Sequence, residues 1–272
     1  HHFDPTEAAQ IKKALLVWYR ANRRKLPWRG DPPPYDGSTA GRTNTTANKK
    51  DTAGADYNEN AKIIPRSAYG IWVSEIMLQQ TRVEAVIPYW LKWMESFPTV
   101  QDLAKATEEQ VNSHWAGLGF YRRARLLHQA AQHVVEKYNG QLPQTTKELE
   151  TIPGIGRYTA SAIASIAFDE CVPVVDGNVC RVLSRLRGVA NHIKASIFKD
   201  KFAWDLAEQI VAAAVENDED DADDLAPHHH AGAVNQAMME LGATYCAPSG
   251  TGIDEDDPLK DYYLSTKLGL QY

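Results

Sequence analysis

Cysteine is the first scarcity. Only Cys171, Cys180 and Cys246 are present, in neither CxxC spacing nor a paired pattern. That excludes a disulfide framework and points to a reducing compartment. Long apolar runs are missing too. None reaches the roughly 18–20 residues that cross a bilayer, and no stretch reads as a signal peptide. No run alternates for long as a half-buried strand does, whereas Ala- and Leu-rich segments of helical period dominate, so the expected fold is all-α. Walker and Rossmann glycine patterns are absent, and so are an H-E-x-x-H pair and the elbow context of a nucleophile at Ser165 or Ser184.

A basic excess is also lacking, since the formal net charge is −6. The sign is local. Glu216, Asp218, Glu219, Asp220, Asp221, Asp223 and Asp224 carry seven negative charges in one short run, read as a solvated, disordered insertion at about 216–231. The rest of the chain is close to neutral. Its basic residues gather at Arg20, Arg23, Arg24, Lys25 and Arg29, and again at Arg122, Arg123 and Arg125, patches able to serve phosphates. His228-His229-His230 lacks metal-ligand spacing and reads as solvated. A second insertion, about 30–66, is rich in Pro, Gly, Asn and Thr and is expected to have nothing to bury.

What is present is helical punctuation. Residues 5–22 form an amphipathic helix with Ile11, Leu15, Leu16 and Trp18 on its apolar side. Pro27 stops the chain there, with Trp28 and Arg29 expected on a loop. Helical order returns at Tyr69. Glu75 and Gln79 then share a face at i and i+4, and among Trp72, Val73, Ile76 and Met77 an exposed stripe is the simpler reading of Glu75. Thr81-x-x-Glu84 reads as a capping box opening the next helix, and Thr99 and Thr107 as further N-caps. Phe120 and Tyr121 follow the Gly117-Leu118-Gly119 turn. An aromatic pair there, backed by arginines, is able to wedge into a base step; the alternative is a buried staple. A long helix then runs to Asn139-Gly140.

Pro153-Gly154-Ile155-Gly156 interrupts two helical patterns, TTKELETI and RYTASAIASIAF. The result is a helix-hairpin-helix, whose glycines admit close backbone approach and whose second helix offers N–H groups to a phosphate. Taken alone, a tight helix–helix connection explains it as well. Asp176-Gly177-Asn178 follows an extended VPVV and opens another helix, with later helices at about 198–215 and 231–243. The stretch 258–269 also reads as helical.

Six segments, LPWR at 26–29, VSEIMLQQTRVEAVIPYW at 73–90, WAGLGFYRRAR at 115–125, IPGIGRYTASAIASIAF at 152–168, VVDGNVCRVLSR at 174–185 and NQAMMELGATYC at 235–246, closely resemble the MutY-type adenine DNA glycosylases of the helix-hairpin-helix superfamily. The insertions suggest a eukaryotic, fungal-type member acting in the nucleus or mitochondrion. The resemblance implies a six-helix barrel at 67–167 and a second helical domain at 168–272, with residues 1–29 packed on the latter and DNA in the cleft. It implies monofunctional removal of adenine opposite 8-oxoguanine or guanine by a monomer acting on double-stranded DNA. Glu75, held protonated by an apolar pocket, would be the general acid, and Asp176 would stabilise the sugar cation. Tyr158 would position Glu75 or the sugar, and Asn178 would hold water or Asp176. Arg24, Trp28, Arg29 and Gln236 would surround the flipped base, while Gln79 and Phe120 enter the stack. The family has tyrosine where this chain has Phe120. The alternatives are an endonuclease III-like lyase, which needs a lysine where Tyr158 stands, and a non-catalytic DNA-binding protein.

The same family holds a [4Fe–4S] cluster on four cysteines, of which Cys246 matches the first. No cysteine follows in 247–272, so this stretch alone cannot complete the site. Nor does it include the C-terminal domain that inspects 8-oxoguanine, which implies weaker discrimination between the two mispairs.

Overall fold

The structure is a computed structural model that describes residues 2–36, 63–189, 192–215, 230–248 and 254–269. The acidic run, most of the 30–66 insertion, and His228 and His229 lie outside the described residues. Every regular element among the described residues is helical. The chain divides into two compact units, 24–163 and a discontinuous one made of 1–23 with 164–272.

The 24–163 unit opens with a tight Pro27–Arg29 turn, then α2 (Ala68–Leu78), α3 (Val83–Ser96), α4 (Val100–Lys105), α5 (Glu108–Trp115), α6 (Arg122–Tyr138), α7 (Thr146–Leu149) and the start of α8 (Arg157–Phe168). Four tryptophans, Trp72, Trp90, Trp93 and Trp115, are fully buried in its core. Three of their indole N–H groups find acceptors, as buried polar tips usually do: Trp90 on Gly70 O (2.9 Å), Trp93 on the Tyr69 hydroxyl (3.0 Å) and Trp115 on Gly119 O (2.8 Å). Gly70 lets the indole come close, since an added Cβ would stand 3.1 Å from the Trp90 ring. Thr99 and Thr107 close full capping boxes. The box expected at Thr81-x-x-Glu84 does not form. Helix α3 is capped at Arg82 without a side-chain bond, and the Thr81 hydroxyl donates to Gln79 O instead. At the other end of α6, Asn139 takes the left-handed conformation at φ 54°, which asparagine tolerates.

The other unit contains α1 (Pro5–Asn22), α9 (Gly177–Leu186), α10 (Ala203–Val211), α11 (Ala231–Ala243) and α12 (Leu264–Gly269). Ile11, Leu15, Leu183, Ile210 and Leu241 join in one core. The expected 198–215 helix stops at Val211. There the buried Lys12 ammonium donates to Val211 O (2.8 Å) and Ala213 O (2.9 Å), closing carbonyls the helix end leaves open. Asn235 of α11 is fully buried and fully used. It accepts from Val174 N (3.0 Å) and donates to Val172 O (2.9 Å) and Ser165 Oγ (3.0 Å). These bonds pin the extended 172–174 stretch just ahead of Asp176. The sequence reading grouped 1–29 with the C-terminal half, whereas 24–29 belong to the 24–163 unit.

Candidate active site and nucleic-acid interface

Within the 24–163 unit, Glu75 lies in the middle of α2 with Ile71, Trp72, Val73 and Ile76, all buried, as neighbours. Only 8 % of it is exposed, so the exposed-stripe reading is corrected: the helix is apolar on nearly every side and has no solvent face for the carboxyl to occupy. The Tyr158 hydroxyl, from the first turn of α8, donates to Glu75 Oε2 at 2.7 Å. That bond fixes the rotation of the carboxyl group.

Trp28, expected on a loop, is buried and set edge-on to Trp90 (centroids 6.1 Å, 65°). Arg24 is buried as well, and its carbonyl accepts from Arg29 Nη1 at 2.8 Å. The turn that carries them is closed from inside by Asp31 and Asp36, which the sequence did not single out. Leu26 N donates to the buried Asp31 (2.9 Å), and Lys25 and Asp36 exchange backbone and side-chain bonds. Tyr35 is buried too, so the start of the 30–66 segment is packed rather than loose.

Gln79 is exposed at the end of α2, and Phe120 and Tyr121 are exposed at 59 % and 49 %. The buried-staple alternative for this aromatic pair therefore falls. Arg122 and Arg125 face solvent, but Arg123 turns inward and donates to backbone carbonyls, so it leaves the expected phosphate patch. In the hairpin, Pro153, Gly154 and Gly156 are exposed and Ile155 is buried as the anchor. Gly154 adopts φ 83°, and a Cβ there would meet Leu126 at 3.3 Å; at Gly156 a Cβ would meet nothing. Pro153, Gly154, Gln79 and Arg123 line one small cavity of about 40 Å³, which sets the hairpin beside the Gln79 turn.

In the other unit, Asp176 is the N-cap of α9. Its Oδ1 accepts from Val179 N (2.8 Å) and its Oδ2 from Asn178 Nδ2 (2.9 Å). Burial pushes this carboxyl above the ordinary aspartate range, against the hydrogen bonds and the Arg181 charge that favour its ionised form. Arg181 sets the Asn178 amide: its Nη2 donates to Asn178 Oδ1 (2.8 Å) and Gly242 O (2.8 Å), and its Nε to Cys246 O (2.7 Å). With Oδ1 claimed by a cation, only the Asn178 amino group is left for Asp176. The i+3 spacing of Asn178 and Arg181 on α9 was the available signal for this role. Gly242 permits the arrangement, because a Cβ there would lie 2.6 Å from that of Asn178. Gln236 is partly exposed on α11 and donates to Gly232 O (3.1 Å).

Cys246 is buried; its Sγ accepts from Arg185 Nη1 (3.3 Å), and burial pushes the thiol above its usual range. The nearby Tyr263 hydroxyl donates to the buried Asp257 (2.9 Å). Among the described residues, no group of three or more His, Cys, Asp or Glu side chains converges to hold a metal. No helix among them is long and apolar enough to cross a membrane.

Residues 73–208 match a family described as HhH-GPD superfamily base excision DNA repair protein. The chain is similar to adenine DNA glycosylases of Rattus norvegicus (42 % identical over 90 % of this chain and 40 % of that one) and Homo sapiens (41 %, over 90 % and 37 %). It is also similar to that of Schizosaccharomyces pombe (38 %, over 91 % and 47 %). The chain thus spans less than half the length of these relatives. In fold it is similar to a thermostable thymine-DNA glycosylase (TM-score 0.70, 21 % identical, covering 97 % of this chain and all of that one). It is likewise similar to endonuclease III in a non-covalent DNA complex (TM-score 0.59, 21 % identical, 77 % and 88 %).

Proposed function

Because the chain belongs to the HhH-GPD superfamily of base excision DNA repair proteins, we propose that it is a monofunctional DNA glycosylase. As a monomer it would remove adenine paired with 8-oxoguanine or guanine in double-stranded DNA. One observation carries the reading: a carboxyl in an apolar helix, 8 % exposed, bonded at one oxygen by the Tyr158 hydroxyl. An ordinary structural helix has no use for such a group. An enzyme that must protonate a leaving base does, and adenine leaves poorly as an anion.

In the proposed reaction the target adenine is first rotated out of the duplex, since its atoms are unreachable in the stack. Glu75 gives a proton to N7, the glycosidic bond breaks, and its electron pair goes to the departing base. The sugar is left as an oxocarbenium-like cation. Asp176, its carboxyl oriented by Val179 N and Asn178 and ionised for this step, stabilises that cation until water adds and gives up a proton, as the second carboxylate does in glycoside hydrolysis. The products are free adenine and an abasic site. No step passes through the Cys246 region. A lyase reading is disfavoured by Tyr158 at the Schiff-base position, with no lysine between Lys147 and Lys194.

The test is single-turnover adenine release from an 8-oxoguanine:A duplex. Release by the wild-type chain with loss of at least about 100-fold in Glu75→Gln, the low end for a general acid, is the expected outcome. Equal release by both would remove Glu75 from the acid role. Binding without release by the wild type would refute the enzyme reading for this stretch.

A further inference from the structure

We infer that Arg123 is a positioning residue that clamps two DNA-facing turns, 78–81 with Gln79 and 117–121 with Phe120, into one rigid wedge. The inference rests on the proposed glycosylase activity and names how the wedge is kept stiff.

Arg123 is the second residue of α6, and its half-buried guanidinium bonds backbone carbonyls and a hydroxyl rather than a carboxylate. Nη1 donates to Ile76 O (3.0 Å), Met77 O (2.8 Å) and Gln79 O (2.6 Å) at the C-terminal end of α2. Nη2 reaches Thr81 Oγ1 (3.3 Å), Leu118 O (3.4 Å) and Gly119 O (3.2 Å). One planar group therefore ties the end of a helix to a turn some forty residues on. The same plane lies 5.3 Å from the Trp115 ring and 5.3 Å from the Phe120 ring, a cation–π distance.

Both turns need such support. Gln80 and Phe120 stand at φ 58° and 50°, left-handed backbone that a residue other than glycine holds only when its surroundings over-determine it. Phe120 is also 59 % exposed, so no core packing fixes the ring from its outer side. An aromatic side chain that enters a base stack must push against something rigid, because unstacking opposes it. Arg123 supplies that backing. Lysine cannot, having one point charge on a flexible stem in place of a fork.

The experiment compares the wild-type chain with Arg123→Lys, Phe120→Ala and the double variant, each first shown by thermal melting to be folded. Three readouts are taken: duplex affinity, single-turnover adenine release at saturating enzyme, and fluorescence of 2-aminopurine placed beside the mispair, which brightens on unstacking. Arg123→Lys is expected to bind duplex within about twofold of wild type. It should lose most of the unstacking signal and react roughly tenfold more slowly, within the range a small misplacement costs. Acting through Phe120, it should add little to Phe120→Ala in the double variant. Unchanged unstacking, or losses that multiply in the double variant, would overturn the clamp. Should Arg123→Lys fail to fold, Trp115→Phe loosens the same turn by removing the bond to Gly119 O, and unchanged unstacking there counts equally against it. A wild-type chain that unstacks the mispair but releases no adenine defeats the activity and leaves the clamp to be judged by fluorescence.

Discussion

Asp176 carries two opposed demands. As a helix cap it accepts two hydrogen bonds that favour the carboxylate, yet burial disfavours charge and wins, raising its pKa. The usual carboxylate argument then reverses. The folded state binds the Asp176 proton more tightly than the unfolded chain, so this group's stabilising contribution is present at low pH. It is lost as pH rises from the unfolded value through the folded one. Asp176→Asn carries no such proton, so its melting temperature relative to wild type should climb between pH 4 and pH 8. Melting curves across that range check the slope, and an opposite slope would mean that the native site favours the carboxylate. Cys180, nearby on the same helix, is pushed up to about 11, mainly by burial, and stays a thiol throughout the range.

At the scale of single elements, the hairpin separates two uses of glycine. Gly154 takes a left-handed conformation with Leu126 close by, whereas Gly156 meets nothing and has no positive φ. Gly154→Ala should cost about 1–2 kcal/mol of stability through backbone strain. If the hairpin grips a phosphate as the sequence suggests, Gly156→Ala should leave melting nearly unchanged but weaken DNA binding by blocking close backbone approach. Affinity and melting measured on both variants would expose any other division of labour. Much of this level was readable beforehand. Proline and glycine punctuation located α1, α6, α8, α9 and α11, and Thr99 and Thr107 announced their caps, because those signals are local. Glu75 was misread because helical spacing says which residues share a face, not whether that face meets water. Trp28 and Tyr35 were misread for a similar reason, since their burial depends on what lies across the fold. Arg123 looked like part of a phosphate patch. Its partners are mostly backbone carbonyls, which carry no sequence signature.

Across the whole molecule, the charge distribution makes a prediction that the net value hides. A chain of formal charge −6 that grips phosphates must do so through local patches such as Arg122 and Arg125. Its affinity for duplex should therefore fall linearly in log–log against salt with a shallow slope, reflecting few displaced counterions. Replacing the seven acidic residues between Glu216 and Asp224 with Asn and Gln should raise non-specific affinity at low salt, and the gain should shrink at high salt. Titrations at several salt concentrations would measure both. Equal affinity with and without the acidic run would show that it exerts no field on the bound DNA.

The discontinuous unit has a consequence for how the chain is born. Helix α1 is made before the 24–163 unit, but its buried residues pack on α10 and α11, which emerge only after the whole of Arg24–Ile163. At ordinary synthesis rates the wait from Asn22 to the start of α10 is roughly 9–36 s. Throughout it Ile11, Leu15 and Trp18 lack their native cover. A nascent chain stalled before α10 should therefore present an apolar N-terminal helix to chaperones, and release from them should coincide with the appearance of α11.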